Sequence, residues 1–135
     1  RVGYGMANPE LAEILNRVRQ PFNVNSYGLA AASAALLDDT FVEASVSTNN
    51  SGMRQLVSVA GKIGLSFIPS RGNFLTIQFE QVATEIYTKL LQQGIIVRPL
   101  VGYGLPNHLR VSVGLEVENE RFCLGLEDIM SNIGT

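Results

Sequence analysis

The stretch Gly64-Leu65-Ser66-Phe67-Ile68-Pro69-Ser70-Arg71-Gly72-Asn73-Phe74-Leu75-Thr76-Ile77-Gln78-Phe79 decides the fold, because the hydrophobic period changes within it. Before Gly64 the apolar residues recur at helical spacing; after it they alternate. Residues 65–69 read as a short strand and Ser70-Arg71-Gly72 as a turn. Residues 74–79 read as a second strand, with Phe74, Thr76 and Gln78 at alternate positions.

Downstream, residues 80–93 form an amphipathic helix in this reading. Val82, Ile86, Leu90 and the neighbouring Leu91 lie on its apolar side, and Gly94 ends it. Residues 95–98 are expected as a strand and 99–108 as a Gly/Pro-rich loop. Residues 109–113, Leu-Arg-Val-Ser-Val, are a further alternating strand, and a closing helix runs from Glu116 to about Ile133.

Upstream, residues 1–7 read as the end of a strand. Asn8-Pro9-Glu10 starts a helix, with Asn8 as cap and proline at the first helical position. That helix carries Leu11, Ile14, Leu15 and Val18 and stops before Pro21. An extended connector over 20–25 leads to an apolar helix over 26–37. After a break at Asp38-Asp39-Thr40, a long helix follows over about 41–62, with the poor helix formers Asn49, Asn50 and Gly52 inside it. The expected class is α/β (α+β): two long helices, then strand, strand, helix, strand, strand, helix, with helices packed on one small sheet.

Composition narrows the function classes. The 135 residues are one domain's worth. They are 46% hydrophobic and 16% charged, against a typical charged share of about 25%, which excludes a disordered chain. No apolar run approaches the roughly 20 residues of a membrane span. Ten basic residues against twelve acidic ones leave a net charge of −2, which offers nucleic acid no electrostatic footprint. One cysteine, Cys123, cannot form an internal disulfide, and with one histidine, His108, it cannot build a Cys/His zinc site. A reducing, cytoplasmic location is expected. There is no secretory leader pattern, and the opening without Met suggests a piece of a larger protein.

The residues hold no complete catalytic set. Cys123 reads as a buried, inert thiol beside Phe122 and Leu124, and His108 as a turn residue next to Pro106-Asn107. The short G-x-G words at Gly3-Tyr4-Gly5 and Gly102-Tyr103-Gly104 lack the further glycine and helix of a dinucleotide site. Arg98 and Arg110 are more informative. Arg110 shares a strand face with Ser112, opposite three apolar residues, and Arg98 ends the preceding strand. If those strands pair, two guanidinium groups meet, an arrangement suited to forked recognition of carboxylate or phosphate. Two solvated arginines on an exposed sheet face are the plainer alternative.

Five words then occur in one order: Arg1-Val2-Gly3-Tyr4-Gly5, Pro21-Phe22-Asn23-Val24-Asn25, Pro69-Ser70-Arg71-Gly72-Asn73-Phe74, Val97-Arg98-Pro99-Leu100, and Gly102-Tyr103-Gly104-Leu105-Pro106-Asn107-His108-Leu109-Arg110-Val111-Ser112-Val113-Gly114. Together they resemble the C-terminal third of the histidinol-phosphate aminotransferase family, fold-type I enzymes dependent on pyridoxal phosphate. The resemblance covers essentially the whole chain, and relatives acting on other amino acids share much of the pattern. It implies the small C-terminal domain of such an enzyme, a mostly antiparallel sheet with helices on one face, over residues 25–135. Residues 1–24 would be a remnant of the large cofactor-binding domain.

The resemblance also implies roles. The family's Schiff-base lysine would fall just ahead of Arg1, so no catalytic residue lies in this chain. Arg1 matches an arginine on the cofactor phosphate, and Arg110 the arginine on the substrate α-carboxylate. Arg98 matches a second substrate-side arginine, and Asn73 lies in a word near the substrate. The implied parent is a homodimer that exchanges an amino group between glutamate and imidazole-acetol phosphate, with amino-acid and 2-oxo-acid substrates. A different class, a non-catalytic α/β module binding a small carboxylate through Arg98 and Arg110, stays open on the residues alone.

Overall fold

The computed structural model describes residues 2–132. By its internal contacts the chain divides into two compact units, residues 1–43 and 44–135.

In the first unit, α1 (Pro9–Val18) begins as expected. The Asn8 side chain accepts from the Leu11 amide at 2.8 Å, and Pro9 spends its missing N–H where no helical bond is needed. Leu11, Ile14, Leu15 and Val18 line up on α1, each about half exposed or more. The connector bends at Phe22, whose φ of 56° is in the left-handed region. Asn25 then caps α2 (Ser26–Ala35) by accepting from Gly28 at 2.7 Å. The expected strand over residues 1–7 does not form: the described part, 2–7, is irregular. A strand exists only through a neighbour, and none of the four strands pairs with this segment.

The helix α3 (Asp39–Ile63) spans the division between the units. It starts two residues earlier than its apolar pattern suggests, because Asp38 caps it by accepting from the Phe41 amide at 3.0 Å. It also runs unbroken through Asn49, Asn50 and Gly52. Gly52 is there for space. A side chain at that position would overlap Val113 and Asn119, so the helix comes as close as only glycine permits.

The second unit is built on a four-stranded antiparallel sheet of order β1-β2-β4-β3. Its strands are β1 (Phe67–Ile68), β2 (Phe74–Gln78), β3 (Arg98–Leu100) and β4 (Leu105–Ser112). The helix α4 (Ala83–Gln92) lies between β2 and β3, and α5 (Glu116–Ser131) follows β4. The expected order of strands and helices is therefore present, as is the antiparallel sheet with helices on one face. The inward residues Leu75 and Ile77 of β2 and Leu109 and Val111 of β4 share one core with the helices. Leu56 and Val59 come from α3, Ile86 and Leu90 from α4, and Phe122, Leu126 and Ile129 from α5. Each such side chain stabilises the fold by roughly 1.5–3 kcal/mol through burial.

Several boundaries differ from the sequence expectation. Residues 95–97 carry no ladder, and the strand starts at Arg98. The expected loop over 99–108 is mostly structured. A single 3₁₀ turn (Val101–Tyr103) is closed by Gly104 at φ 75°, and this returns the chain so that Leu105 pairs with Leu100. Only a glycine-friendly left-handed residue makes that reversal cheap. The helix α4 starts at Ala83, and Val82 and Leu91 are about half exposed, while Ala83 takes the buried place. The closing helix ends at Ser131; Ile133 lies outside the described residues.

Candidate functional site

The face of the sheet turned away from the helices collects the polar candidates. Because side chains alternate along a strand, the inward Leu109 and Val111 leave His108, Arg110 and Ser112 on the other face of β4. Their partners across β2 are Gln78, Thr76 and Phe74 respectively. On the other side of β4, Arg98 is the register partner of Arg110. One rung across the sheet therefore runs Ile68, Thr76, Arg110, Arg98. The pairing that would bring the two arginines together is present.

The surroundings of Arg110 are specific. Its guanidinium carbon lies over the Phe74 ring, 5.1 Å from the centroid. Its Nε is shielded from solvent with no acceptor among the described residues, and Thr76 beside it is 7% exposed. No Asp or Glu occurs in any of the four strands, and neither arginine makes an ion pair among the described residues. Arg98 is exposed and Arg110 half-buried. Two cations without a counter-ion among the described residues, one over an aromatic ring, form a place for an anion.

Asn73 sits one residue before β2, exposed, and its carbonyl accepts from the Val113 amide at 2.8 Å. That bond ties the backbone just ahead of β2 to the residue after Ser112. By alternation position 73 has the parity of the inward Leu75 and Ile77, so the register does not bring Asn73 onto the face of Arg98 and Arg110. Arg1 lies outside the described residues. His108, expected in a turn, is instead inside β4, with a buried Nδ1 that has no partner among the described residues. Composition and spacing did not single out Phe74 or Thr76. Their alternation with Leu75 and Ile77 was the available signal.

Other features are structural. A cleft of about 330 Å³ opens between residues 94–97 and the end of β4, and includes Ser112 but neither Arg98 nor Arg110. Burial, and after it the charge of Glu127, push the Cys123 thiol above its ordinary pKa, which keeps it protonated and unreactive. Among the described residues no group of three His, Cys, Asp or Glu could hold a metal ion, and no helix is long and apolar enough to cross a membrane.

The residues at hand do not fit a pyridoxal phosphate site by themselves. The chain has two lysines, both on helices: Lys89 on α4, and Lys62 on α3, where its Nζ pairs with Glu127 at 2.8 Å. Neither belongs to the strands that carry the arginine pair.

The model of the family "aminotransferase class I and II" matches residues 1–126. Histidinol-phosphate aminotransferase 2 of Pseudomonas fluorescens strain Pf0-1 is 52% identical over 131 residues, which are 97% of this chain and 35% of that protein. The chain thus spans about a third of the length of the curated relatives it matches. Among solved structures, the histidinol-phosphate aminotransferase of Clostridium acetobutylicum superposes with a TM-score of 0.81 at 23% identity, covering 93% of this chain and 39% of that one. That of Sinorhizobium meliloti, in complex with pyridoxal-5'-phosphate, gives 0.76 at 23% identity over 93% of this chain and 35% of its own. At those identities the likeness is one of fold. The family match, spanning nearly the whole sequence, assigns membership: the chain belongs to the class I and II aminotransferases.

Proposed function

We propose that this chain is the substrate-anion-binding part of a pyridoxal-phosphate-dependent aminotransferase. The proposed reaction converts L-histidinol phosphate and 2-oxoglutarate into imidazole-acetol phosphate and L-glutamate, a step of histidine biosynthesis in the cytoplasm. The observation that carries this is the Arg98–Arg110 register pair on the open sheet face, with Arg110 seated on Phe74 and no acidic residue in the sheet. About 52% identity to a histidinol-phosphate aminotransferase supports the choice of substrate.

In this reading Arg110 holds the substrate α-carboxylate and thereby orients Cα. Arg98 is the second substrate-side cation, Asn73 lies at the substrate edge, and Arg1 contacts the cofactor phosphate. Residues 1–24 belong to the large cofactor domain and residues 25–135 to the small C-terminal domain. The cofactor supplies the electron sink, and the protein supplies position and charge. The parent enzyme acts as a homodimer. The exposed apolar side chains of α1 suit burial against further chain, so the isolated polypeptide is expected to self-associate.

The test is direct. Incubated alone with pyridoxal phosphate, this chain should neither turn over histidinol phosphate nor yield a borohydride-trapped cofactor adduct at Lys62 or Lys89. The full-length parent should transaminate histidinol phosphate in preference to aromatic amino acids. Turnover by the isolated chain with a trapped lysine adduct would overturn the reading, as would a parent without transaminase activity.

A further inference from the structure

We propose that Phe74 is the positioning residue of the anion site: its ring sets the plane of the Arg110 guanidinium and so decides which nitrogens meet the ligand. The proposal rests on the assignment of Arg110 to the substrate anion, and adds to it a residue that has no place in the hydrophobic core. Phe74 is 36% exposed and lies on the face opposite Leu75 and Ile77, so packing against the helices does not explain it.

The register brings the ring to Arg110. Phe74 pairs across the sheet with Ser112, which places it diagonal to Arg110 on the same face, within reach of a long side chain. The guanidinium carbon stands 5.1 Å from the ring centroid. Gly72 lies near the edge of the ring: a Cβ added there would stand 3.5 Å from Phe74 Cε1. Gly72 is itself held: its amide donates to Ser70 Oγ at 3.1 Å, and its carbonyl accepts from Asn49 Nδ2 of α3 at 3.3 Å. The turn at 70–72 next to the ring is thus tied to α3, and the ring itself meets Arg110.

The consequence is directional. Arg110 Nε is shielded from solvent, so it is not an outward-facing donor. Thr76 walls the β2 side of Arg110, and Arg98 stands on its β3 side. The two terminal nitrogens are left to form the fork for a carboxylate, end-on and in one plane. A ring that fixes this plane lowers the freedom that binding would otherwise have to remove.

The experiment uses the 135-residue chain and 2-oxoglutarate as the probe, followed by NMR of the arginine side chains. In the unchanged chain the Arg110 side-chain protons should be shifted upfield by the Phe74 ring and should move on titration. Phe74→Met keeps an apolar side chain of similar reach but removes the π face. It should abolish the upfield shift and weaken binding about two- to fivefold, the scale of an exposed cation–π contact, with backbone resonances away from β2 unchanged. Phe74→Trp should restore both readouts. Should Phe74→Met unfold the chain, Phe74→Tyr and Phe74→Trp retain the ring, and a loss of both readouts in those two folded variants would overturn the proposal. Unchanged affinity and unchanged Arg110 shifts in Phe74→Met, while Arg110→Ala abolishes binding, would overturn the role of Phe74 and leave the arginine assignment standing. Binding that survives Arg110→Ala would overturn both.

Discussion

Arg98 and Arg110 stand directly opposite each other on hydrogen-bonded antiparallel strands, the arrangement in which cross-strand side chains come closest. Like charges in such a pair repel, and no strand of the sheet supplies a carboxylate to offset them. An anion that bridges both removes the repulsion. Inorganic phosphate should therefore raise the Tm of the chain at low ionic strength more than an equal ionic strength of chloride does. Arg98→Gln should leave the Tm in chloride unchanged or higher and reduce the phosphate effect by half or more. Equal Tm shifts by both salts would show that the pair binds no anion.

In the full-length parent, Arg110→Lys should raise KM for both the amino donor and the 2-oxo acid, because a point charge replaces a planar fork. Arg110→Ala should lower kcat/KM by more than about 2 kcal/mol, the scale of removing one partner of a buried charge pair. Steady-state kinetics with both substrates decide this. An unchanged KM in Arg110→Ala returns Arg110 to an ordinary surface role.

Gly52 allows α3 to approach Val113, just past β4, and Asn119 of α5. A Cβ there would stand 2.5 Å from Asn119 Nδ2 and overlap a methyl of Val113. Gly52→Ala improves intrinsic helix propensity by about 1 kcal/mol, yet the overlap should cost about 1–3 kcal/mol. The expected net result is a lower Tm by thermal denaturation. A raised Tm would mean that the helix shifts freely away from the sheet.

Asn119, 3% exposed, ties three parts of the second unit together. Its Oδ1 accepts from the Gly114 amide at 2.9 Å, and its Nδ2 donates to the Gly114 carbonyl and to Gln55 Oε1, both at 3.0 Å. Asn119→Ala strands the Gly114 backbone groups and should destabilise by about 1–3 kcal/mol, measured by urea unfolding. Asn119→Asp can accept but not donate when ionised, so it should also destabilise at neutral pH.

Cys123 gives a pH dependence with a definite sign. Its thiol is held above the ordinary value, chiefly by burial and then by Glu127. Below about pH 8.5 the thiol is protonated in both folded and unfolded chains, and its contribution is fully present. As the pH rises further, the unfolded chain ionises first, and that stability is lost up to the folded value. Cys123→Ser should remove this part of the alkaline decline in urea-unfolding free energy. Alkylation of the native thiol at pH 8 should be slower than that of a free thiol. Equal rates would show that the thiol is open to reagent.

The sequence by itself determined the elements of the second unit, because short-range chemistry encodes them. Alternation in Phe74-Leu75-Thr76-Ile77-Gln78 and Leu109-Arg110-Val111-Ser112-Val113 marks strands whose one face must be buried. Asn8 and Pro9 mark a helix start for the same local reason. Alternation also put Arg110 on the face away from the core. Tertiary structure decided what depends on a partner elsewhere in the chain. The turn at Gly104, with Leu100 returning onto Leu105, set the register that places Arg98 opposite Arg110. A strand at residues 2–7 had the composition but no neighbour, and a strand cannot satisfy its backbone alone. Helix α3 kept its weak formers because packing against Val113 and Asn119 outweighs propensity at Gly52. The seat of Arg110 on Phe74, a diagonal contact between residues 36 positions apart in the chain, depends on that register, which no local pattern records.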